Sequence, residues 1–218
     1  MFLNDTQLSC FGARLLDYTV GAPGITNETF QGKNAQFPKL LASSVAARPL
    51  TISLVFFGKS RNDVTQKISR FLAEAQGTCQ LYFPDGFFYT SILQGVSDPQ
   101  PIIPTQVQVD FQFLSVRHGA MIRIPLEKSG EIYCDGNLEA DCIFSLTAQG
   151  TASVQGVTVK NMSGTVVIDG IQKTITQNGA NKFADADLLT FPKLTPGKNV
   201  ITLSAGAKVT IQYYPVYF

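Results

Sequence analysis

The amino-acid sequence predicts a mainly β protein of two domains, with a single α-helix in the first domain. Three observations lead to this fold class. A stretch around residue 110 alternates apolar and polar side chains with the period of a half-buried strand. Only one segment, at about 60–76, has apolar residues at helical spacing. From about residue 120, short strand-like runs alternate with turn residues, as in β-sandwiches. We therefore assign residues 1–119 to an amino-terminal β-barrel or β-sandwich domain with the helix, and residues 120–218 to a β-sandwich.

Composition favours a subunit of an assembly. Of the 218 residues, 44% are hydrophobic and only 15% are charged, and the formal net charge is +1. A sparsely charged surface is poorly protected against association, and a nearly neutral chain has no long-range attraction to DNA or anionic membranes. The longest apolar run, Leu54 to Phe57, is too short to cross a bilayer, so we expect no membrane insertion. The first residues lack the basic and apolar regions of a signal peptide, which predicts synthesis and folding in a cytoplasm.

The first domain begins its regular structure with the strand "RPLTISLVFF". Ile52, Leu54 and Phe56 share one face, and the apolar residues between them predict that the other face is covered too. The helix follows, with Ser60 as its amino-terminal cap, Asp63 as the acidic half of a capping box, and Gly77 as its stop signal. Its core stripe consists of Val64, Ile68, Phe71, Leu72 and Ala75.

Two further strands and a long alternating strand complete this domain. "CQLYFPDGFFYTSIL" reads as strand, Pro-Asp-Gly turn and strand. In "TQVQVDFQFLSV" one face is apolar and the other carries mostly uncharged amides. Such an amide face suits wet protein contacts and equally suits a plain solvated surface. The apolar positions are Val107, Val109, Phe111 and Phe113, and the polar ones are Gln106, Gln108, Asp110 and Gln112.

The second domain is rich in turns. Asp169-Gly170 lies between two strand runs and predicts a hairpin, and Asn178-Gly179 predicts a second turn. Near the end of the chain, Val209, Ile211 and Tyr213 alternate with polar residues as one strand face.

The sequence Phe-Pro-Lys-Leu occurs twice, at 37–40 and at 191–194. The flanking sequences of the two copies do not match, so we interpret the duplication as chance. After the second copy, Thr195-Pro196-Gly197 predicts a turn. Asn199 is placed to hydrogen-bond locally, while Phe191 and Leu194 are expected to anchor the loop on the sandwich core.

Catalytic and metal-binding patterns are absent from the sequence. The only histidine, His118, is expected at a surface or domain-boundary position, and nucleophilic catalysis most often needs a histidine base. No phosphate-binding Gly-x-x-x-x-Gly-Lys loop occurs. We therefore predict no catalytic, metal or cofactor site and no enzymatic activity. The clustered carboxylates are interpreted as solvated turn residues: Asp135, Glu139, Asp141, Asp185 and Asp187.

The four cysteines do not have the paired spacing of a structural zinc site. We expect small buried thiols, although a disulfide between Cys134 and Cys142 is geometrically possible. The cysteines are Cys10, Cys79, Cys134 and Cys142.

The order of several weak motifs resembles the distal tail proteins of siphophages over nearly the whole chain. Near the carboxyl terminus, "FPKLTPGKNVI" is followed by "KVTIQYYP". "DGNLEADCIFSLTAQGTASVQGVTVKN" is similar to the entry of that family's carboxyl-terminal sandwich. "GAPGITNETFQGKN", "RPLTISLVFFGKS" and the single helix resemble its amino-terminal domain.

The resemblance implies a ring-forming amino-terminal β domain with a projecting hairpin arm, followed by a galectin-like β-sandwich. It implies a structural virion protein that forms a homo-hexameric ring at the distal end of a long non-contractile tail. Its expected partners are the tail tube protein, the tail-tip hub protein and receptor-binding proteins of the host-adsorption apparatus. DNA is expected to pass through the ring without specific binding. The expected location is the tail tip of the virion, after synthesis in the cytoplasm of a host bacterium.

The segment Gly21 to Ala47 is the candidate for the hairpin arm, because a loop of this length is unusual inside a compact domain. Laid on a neighbouring subunit, the arm would bury its large apolar side chains. A hairpin packed on its own domain is the alternative. The predicted interface residues are Ile25, Phe30, Phe37, Leu40 and Leu41.

A carbohydrate-binding adhesin is the alternative function. Galectin-type sites stack a sugar on an aromatic ring, usually tryptophan, beside His, Asn and Arg. This chain has no tryptophan, and its predicted sandwich has Arg123 but no other arginine and no histidine. Members of the family that bind sugar also tend to carry inserted carbohydrate-binding domains, for which this chain is too short. We therefore expect a galectin-like scaffold without the galectin site, with tyrosine as the only aromatic for a weak glycan contact.

Overall fold

The computed structural model describes residues 1–218, which form two compact units: residues 1–117 together with Phe218, and residues 118–217. The mainly β architecture with one α-helix is confirmed. A helix α1 (Arg61–Ala75) and a short 3-10 turn (Leu8–Phe11) accompany the strands of the amino-terminal unit. These strands are β1 (Phe2–Leu3), β2 (Thr6–Gln7), β3 (Ala13–Val20), β4 (Ile25–Phe30), β5 (Lys39–Val45), β6 (Arg48–Phe57), β7 (Thr78–Tyr82), β8 (Phe88–Val96), β9 (Gln100–Ile103) and β10 (Gln106–His118).

Eight of these strands form one sheet in the order β2-β1-β7-β8-β10-β6-β3, with β9 added on β10. The predicted strands β6 and β10 lie side by side in it, with Val109 opposite Leu54 and Phe111 opposite Ile52. The alternation predicted for β10 is confirmed, because its four apolar positions are buried and its amide positions are half-buried or exposed. On β6, Val55 on the second face is also buried, as predicted, while Phe57 is half-buried beneath the Arg14 guanidinium.

Helix α1 packs its apolar stripe on this sheet. Phe71 is fully buried, with its ring centroid 4.7 Å from that of Phe111. The cap is confirmed, because the Ser60 hydroxyl accepts a hydrogen bond from the Asp63 backbone N–H. The reciprocal half of the predicted capping box is wrong: the Asp63 carboxylate accepts from the backbone N–H of Lys59 instead of that of Ser60. This bond and the Lys67 ammonium hold the pKa of the Asp63 carboxyl below its usual value.

The carboxyl-terminal unit is a two-sheet sandwich. One sheet has the order β11-β20-β13-β14-β15-β16, with β17 on β14 and β18 on β13, and the other pairs β12 with β19. A single buried cluster draws side chains from both sheets, and its galectin-like character stays a prediction. The strands are β11 (Ile122–Leu126), β12 (Gly130–Cys134), β13 (Ala140–Val154), β14 (Val157–Asp169), β15 (Thr174–Gln177), β16 (Ala180–Asn181), β17 (Ala186–Asp187), β18 (Lys193–Leu194), β19 (Gly197–Ile201) and β20 (Lys208–Tyr213).

The two predicted hairpin turns of this unit differ in form. Asn178 and Gly179 have φ of 51° and 78° and close a two-residue turn between β15 and β16, which confirms the prediction. The β14–β15 hairpin is also confirmed, but its register pairs Asp169 with Thr174, so its loop is longer than an Asp-Gly turn. The Asp169 carboxylate organises this loop by accepting from the backbone N–H groups of Ile171 and Gln172, each at 2.8 Å.

The turn after the second Phe-Pro-Lys-Leu copy has the predicted construction. Gly197 adopts φ of 85°, which other residues reach only with strain. Asn199 closes the loop: its amide donates to the Thr195 carbonyl at 2.7 Å and to the Gly197 carbonyl at 3.0 Å. Leu194 is fully buried in the sandwich core, and Phe191 packs against that core.

Candidate subunit interface

The segment between β3 and β6 forms a separate two-stranded sheet, which we call the arm (residues 22–47). Its strands β4 and β5 pair with each other and with no strand of the main sheet. The ladder runs from Ile25 opposite Val45 at the base to Phe30 opposite Lys39 near the tip. Six residues in β4 give it a length of roughly 20 Å. The arm therefore leaves the sheet as an insertion in the β3–β6 connection.

Hydrogen bonds fix the base of the arm. The Ala46 backbone N–H donates to the Gly24 carbonyl at 2.8 Å, and the Gly21 N–H donates to the Pro49 carbonyl at 2.8 Å. A Cβ at Gly21 would lie 2.5 Å from the Pro49 ring, so the two strands of the base pack too closely for a side chain there. The arm begins from this tight, hydrogen-bonded base.

At the tip, residues 31–38 connect the strands. The Ala35 N–H donates to the Gly32 carbonyl at 2.9 Å, and the Gln31 side-chain amide donates to the Ala35 carbonyl at 3.0 Å. Phe37 projects from this loop and is 83% exposed. The loop is thus built from local polar contacts, while its largest apolar side chain has no apolar neighbour in the core of its own unit.

All five predicted interface residues lie on the arm, and all are exposed. The structure does not bring them into one cluster. Ile25 lies at the base, and the pairing of Thr29 with Leu40 places Leu40 on the same face as Ile25. Phe30 points to the opposite face, and Leu41 is the extra residue of a β-bulge. The arm is therefore apolar on both faces and packs neither face on its own core.

The structure shows a second exposed apolar segment that was not predicted from the sequence. We call it the flap (residues 96–103): the end of β8, the turn at 97–99 and β9. Val96, Ile102 and Ile103 are exposed on it, and every residue of β9 is exposed. Its register places Ile103 opposite Gln106 of β10. The signal was present in "QPIIP", where adjacent isoleucines stand between prolines that exclude a central strand.

The candidate chemical residues do not form a reactive site. His118 is buried, its Nδ1 lies 2.8 Å from the Gly119 carbonyl, and its ring contacts that of Tyr214. Burial lowers the pKa of His118, which keeps the imidazole neutral near pH 7. No group of three or more His, Cys, Asp or Glu side chains is placed to hold a metal ion.

Several carboxylates of the sandwich form surface ion pairs. Asp141 pairs with Lys173 at 3.0 Å. Asp185 pairs with Lys182 at 2.8 Å, and this contact, together with Asn161, lowers the pKa of its carboxyl. These two carboxylates are therefore used in local contacts.

The four cysteines are free thiols, so the disulfide between Cys134 and Cys142 does not form. Three of them are buried as predicted, but the prediction is wrong for Cys10, which is exposed. Cys10 lies in the 3-10 turn, where only Leu8 and Phe11 of the four residues face the core. Burial raises the pKa of Cys142 to about 12 and that of Cys79 to about 11, so both are unreactive thiols.

The outward positions of β10 from Gln106 to Gln112 are polar and carry one charge, that of Asp110. The Asp110 carboxylate accepts from the Ser53 hydroxyl at 2.6 Å, so the one acidic residue of the alternating strand β10 is held by a neighbouring strand. In the whole chain, no helix is long and apolar enough to cross a bilayer.

Comparison with known proteins gives one family match, in the carboxyl-terminal unit, and several structural matches. Residues 135–217 match the family described as "Siphovirus-type tail component, C-terminal domain". No curated protein matches significantly. Among solved structures, the Dit protein (gp 19.1) of phage SPP1 is similar over 100% of this chain and 98% of its own, with a TM-score of 0.69 and 12% identity. It is described as a paradigm of the hub adsorption apparatus in phages that infect Gram-positive bacteria.

Two structures of the phage P2 baseplate in its activated conformation are also similar. A chain of the Ca structure matches with a TM-score of 0.55 and 11% identity, covering 92% of this chain and 90% of its own. A chain of the Sr structure matches with a TM-score of 0.54, 12% identity and the same coverage. At these identities the likeness shows the fold. The family match itself covers residues 135–217, most of the carboxyl-terminal sandwich.

Proposed function

We propose that this chain forms a closed homo-hexameric ring at the distal end of a long non-contractile tail, with each arm laid on the neighbouring subunit. The observation that carries the proposal is the arm itself, which exposes five large apolar residues and packs none of them on its own core. Large apolar side chains that are gathered on one projecting segment and packed on no core of their own indicate an interaction site. A neighbouring copy is the partner that every subunit of a ring has available.

The size of the arm supports this role. A stable protein interface uses about 20–30 residues on each side. The segment from Gly21 to Ala47 has 27 residues and only three charges, those of Glu28, Lys33 and Lys39. The arm therefore provides the residue number and the low charge of one side of a standard interface. A contact of this kind joins two different surfaces, and such contacts close into rings when the rotation between copies permits.

In the tail, we infer that the ring joins the tail tube protein to the tail-tip hub protein, which is linked to the receptor-binding proteins. DNA passes through its opening without specific binding. The uncharged amide positions of β10 support that role, because specific DNA binding needs basic groups directed at phosphates. We infer an architectural and not an enzymatic function, because His118 and three of the four cysteines are buried and several carboxylates are used in ion pairs.

A second candidate function rests on one exposed aromatic residue. Tyr133 on β12 is 70% exposed and stands beside the ion pair between Glu131 and Lys198. An exposed ring next to polar groups suits a weak glycan contact. Binding in a glycan array that is lost in Tyr133→Ala would establish this function, and it is compatible with either a ring or a monomer.

The ring is tested by light scattering after size exclusion and by negative-stain microscopy. We expect the full chain to form six-fold rings with a central opening. A variant in which an Asn-Gly turn replaces residues 22–47 is expected to be a folded monomer, because the arm lies outside the core. Leu189→Ser is the matched control, since this leucine is fully exposed outside the arm and its loss should leave the rings intact. A monomeric full chain, or rings formed by the variant without an arm, would contradict the proposal.

A further inference from the structure

We propose that the surface that receives the arm is the flap of the neighbouring subunit, so that the arm tip packs on Ile102 and Ile103. This inference rests on the proposed ring, and it extends that proposal by naming the surface that accepts the arm. The ring needs two different complementary surfaces on each subunit, and the arm is only one of them.

Both segments have an open backbone edge. The arm is a two-stranded sheet, so β4 and β5 each have one side without a strand neighbour. Strand β9 pairs with β10 on one side and with no strand on the other. Unpaired strand edges recruit strands of other chains, and prolines such as Pro101 limit the pairing to a short stretch. Apolar side chains and main-chain groups can therefore contribute together.

The arm and the flap lie at opposite ends of strand β6. At its first residues, the Pro49 carbonyl accepts from Gly21 at the base of the arm. At its last residues, Phe57 is opposite Gln106, which itself pairs with Ile103 of the flap. Nine residue steps separate these ends, which corresponds to about 30 Å. A head-to-tail contact needs two surfaces on different sides of the subunit, and these two satisfy that condition.

Charge is complementary between the two segments. Lys33 and Lys39 on the arm form no ion pair within the chain, and neither does Asp98 at the turn of the flap. Other lysines of the chain, such as Lys67, do have acidic partners. Arm tip and flap thus carry opposite unpaired charges beside their apolar residues, which favours their contact over contact between two arms.

Other exposed apolar residues of the amino-terminal unit fit the arm less well. Ile92, Leu114 and Val116 stand on β8 and β10, which have strand neighbours on both sides, so these residues lie beside no open edge. The cavity beside the carboxyl-terminal end of α1 is open to solvent, and polar Ser69 and Gln76 interrupt its apolar lining. The flap combines adjacent apolar residues, an open edge and an acidic residue.

The inference is tested by cross-linking with cysteines in a Cys10→Ser background, where the three remaining thiols are buried. The chain carries Leu40→Cys on the arm and Ile102→Cys on the flap, and a short bis-maleimide joins cysteines that lie close together. We expect a ladder of covalent oligomers that ends at the ring size. The control with Leu40→Cys alone is expected to stay monomeric on a denaturing gel.

Each outcome is decisive. Rings that show no ladder, or dimers from Leu40→Cys alone, overturn the flap as acceptor while leaving the ring in place. A parent chain that forms no rings overturns both the ring and its acceptor. As a second measurement, the double variant Ile102→Ser and Ile103→Ser is expected to raise the concentration at which rings form by about 10-fold or more. An unchanged assembly concentration in a folded double variant also overturns the acceptor.

Discussion

The two copies of Phe-Pro-Lys-Leu have opposite environments in the structure. At 37–40 all four residues are exposed, in the arm tip and the start of β5. At 191–194 the proline and leucine are buried, and Leu194 pairs with Ala140 on β13. The four residues are chemically the same, so the flanking chain decides their burial. The second copy is held by the sandwich, whereas the first has no core to enter and its apolar residues stay exposed.

The largest difference between the two copies is expected in thiol reactivity. Cys142 lies directly under the second copy, with its backbone N–H donating to the Pro192 carbonyl at 3.3 Å. A pKa of about 12 leaves a thiolate fraction of roughly 10⁻⁴ at pH 8, and the side chain is fully buried. In a Cys10→Ser background, Phe37→Cys should therefore react on the order of 10³-fold faster than Cys142. Alkylation of dilute subunits followed by mass spectrometry measures both rates.

Concentrating the subunits sharpens this measurement. If the arm docks in the ring, the cysteine at position 37 becomes slow to react while the rate at Cys142 stays unchanged. Comparable alkylation rates at position 37 and Cys142 in dilute subunits would show that the sandwich opens readily beneath the second Phe-Pro-Lys-Leu copy.

The next difference concerns the stability of the fold. Leu194→Ala removes a fully buried side chain from the sandwich core and should lower the free energy of unfolding by about 3 kcal/mol. Leu40→Ala removes an exposed side chain and should change it by less than about 0.5 kcal/mol. Denaturant titrations of dilute subunits measure both values. If Leu40→Ala lowered the free energy of unfolding as much as Leu194→Ala, the arm would have to pack on the core of its own subunit.

A smaller difference is expected for glycines beside the two copies. A Cβ at Gly170 would lie 2.5 Å from the Cys142 carbonyl and 2.8 Å from the Pro192 carbonyl, and backbone atoms cannot move aside cheaply. Gly170→Ala should therefore cost about 1–3 kcal/mol. At Gly32, in the loop of the first copy, the nearest atom would be the Ala35 Cβ at 3.8 Å. Gly32→Ala should leave stability unchanged or raise it by less than about 1 kcal/mol.

Thermal unfolding of the two alanine variants separates these expectations. An equal melting temperature for Gly170→Ala and the parent chain would show that the sandwich can shift its strands to make room. A marked loss of stability for Gly32→Ala would show that the arm loop needs a backbone conformation that alanine disfavours.

The sequence predicted the elements that have a clear period or a defined end. Strand β10 alternates through Val109 and Phe111, and α1 has both its apolar stripe and its Ser60 cap, so local chemistry and tertiary packing agree. The two-residue strands such as β1 are too short to have a period. They exist because long-range pairing supplies their hydrogen bonds, as between Leu3 and Leu81, and such pairing is invisible in a local pattern.

The errors had specific physical causes. The Asp63 carboxylate accepts a hydrogen bond from the backbone N–H of Lys59, whereas a capping box would use the backbone N–H of Ser60. At the β14–β15 hairpin, Gly170 is required by close packing against Cys142 and not by the turn. The arm residues were identified because a long, sparsely charged segment is unusual inside a compact domain and because the family resemblance implies an arm. The flap was not identified, because the exposure of its residues depends on where β9 lies in the sheet.

The smallest expected difference lies in the charges beside the two copies. Lys173 pairs with Asp141 at 3.0 Å, and its ammonium lies 5.6 Å from the centroid of the Phe191 ring. Both contacts are partly exposed to water, so Lys173→Met should lower the free energy of unfolding by no more than about 1 kcal/mol.

Lys39→Met is the matched variant in the first copy. This lysine has no ion pair in the chain, so we expect no change in the stability of the dilute subunit. Denaturation at low and high salt distinguishes the two variants, because screening should shrink the cost of Lys173→Met and leave that of Lys39→Met near zero. A salt-dependent loss at Lys39 in dilute subunits would mean that the first copy already has an acidic partner within its own chain. In that case its charge would not be available to a neighbouring subunit.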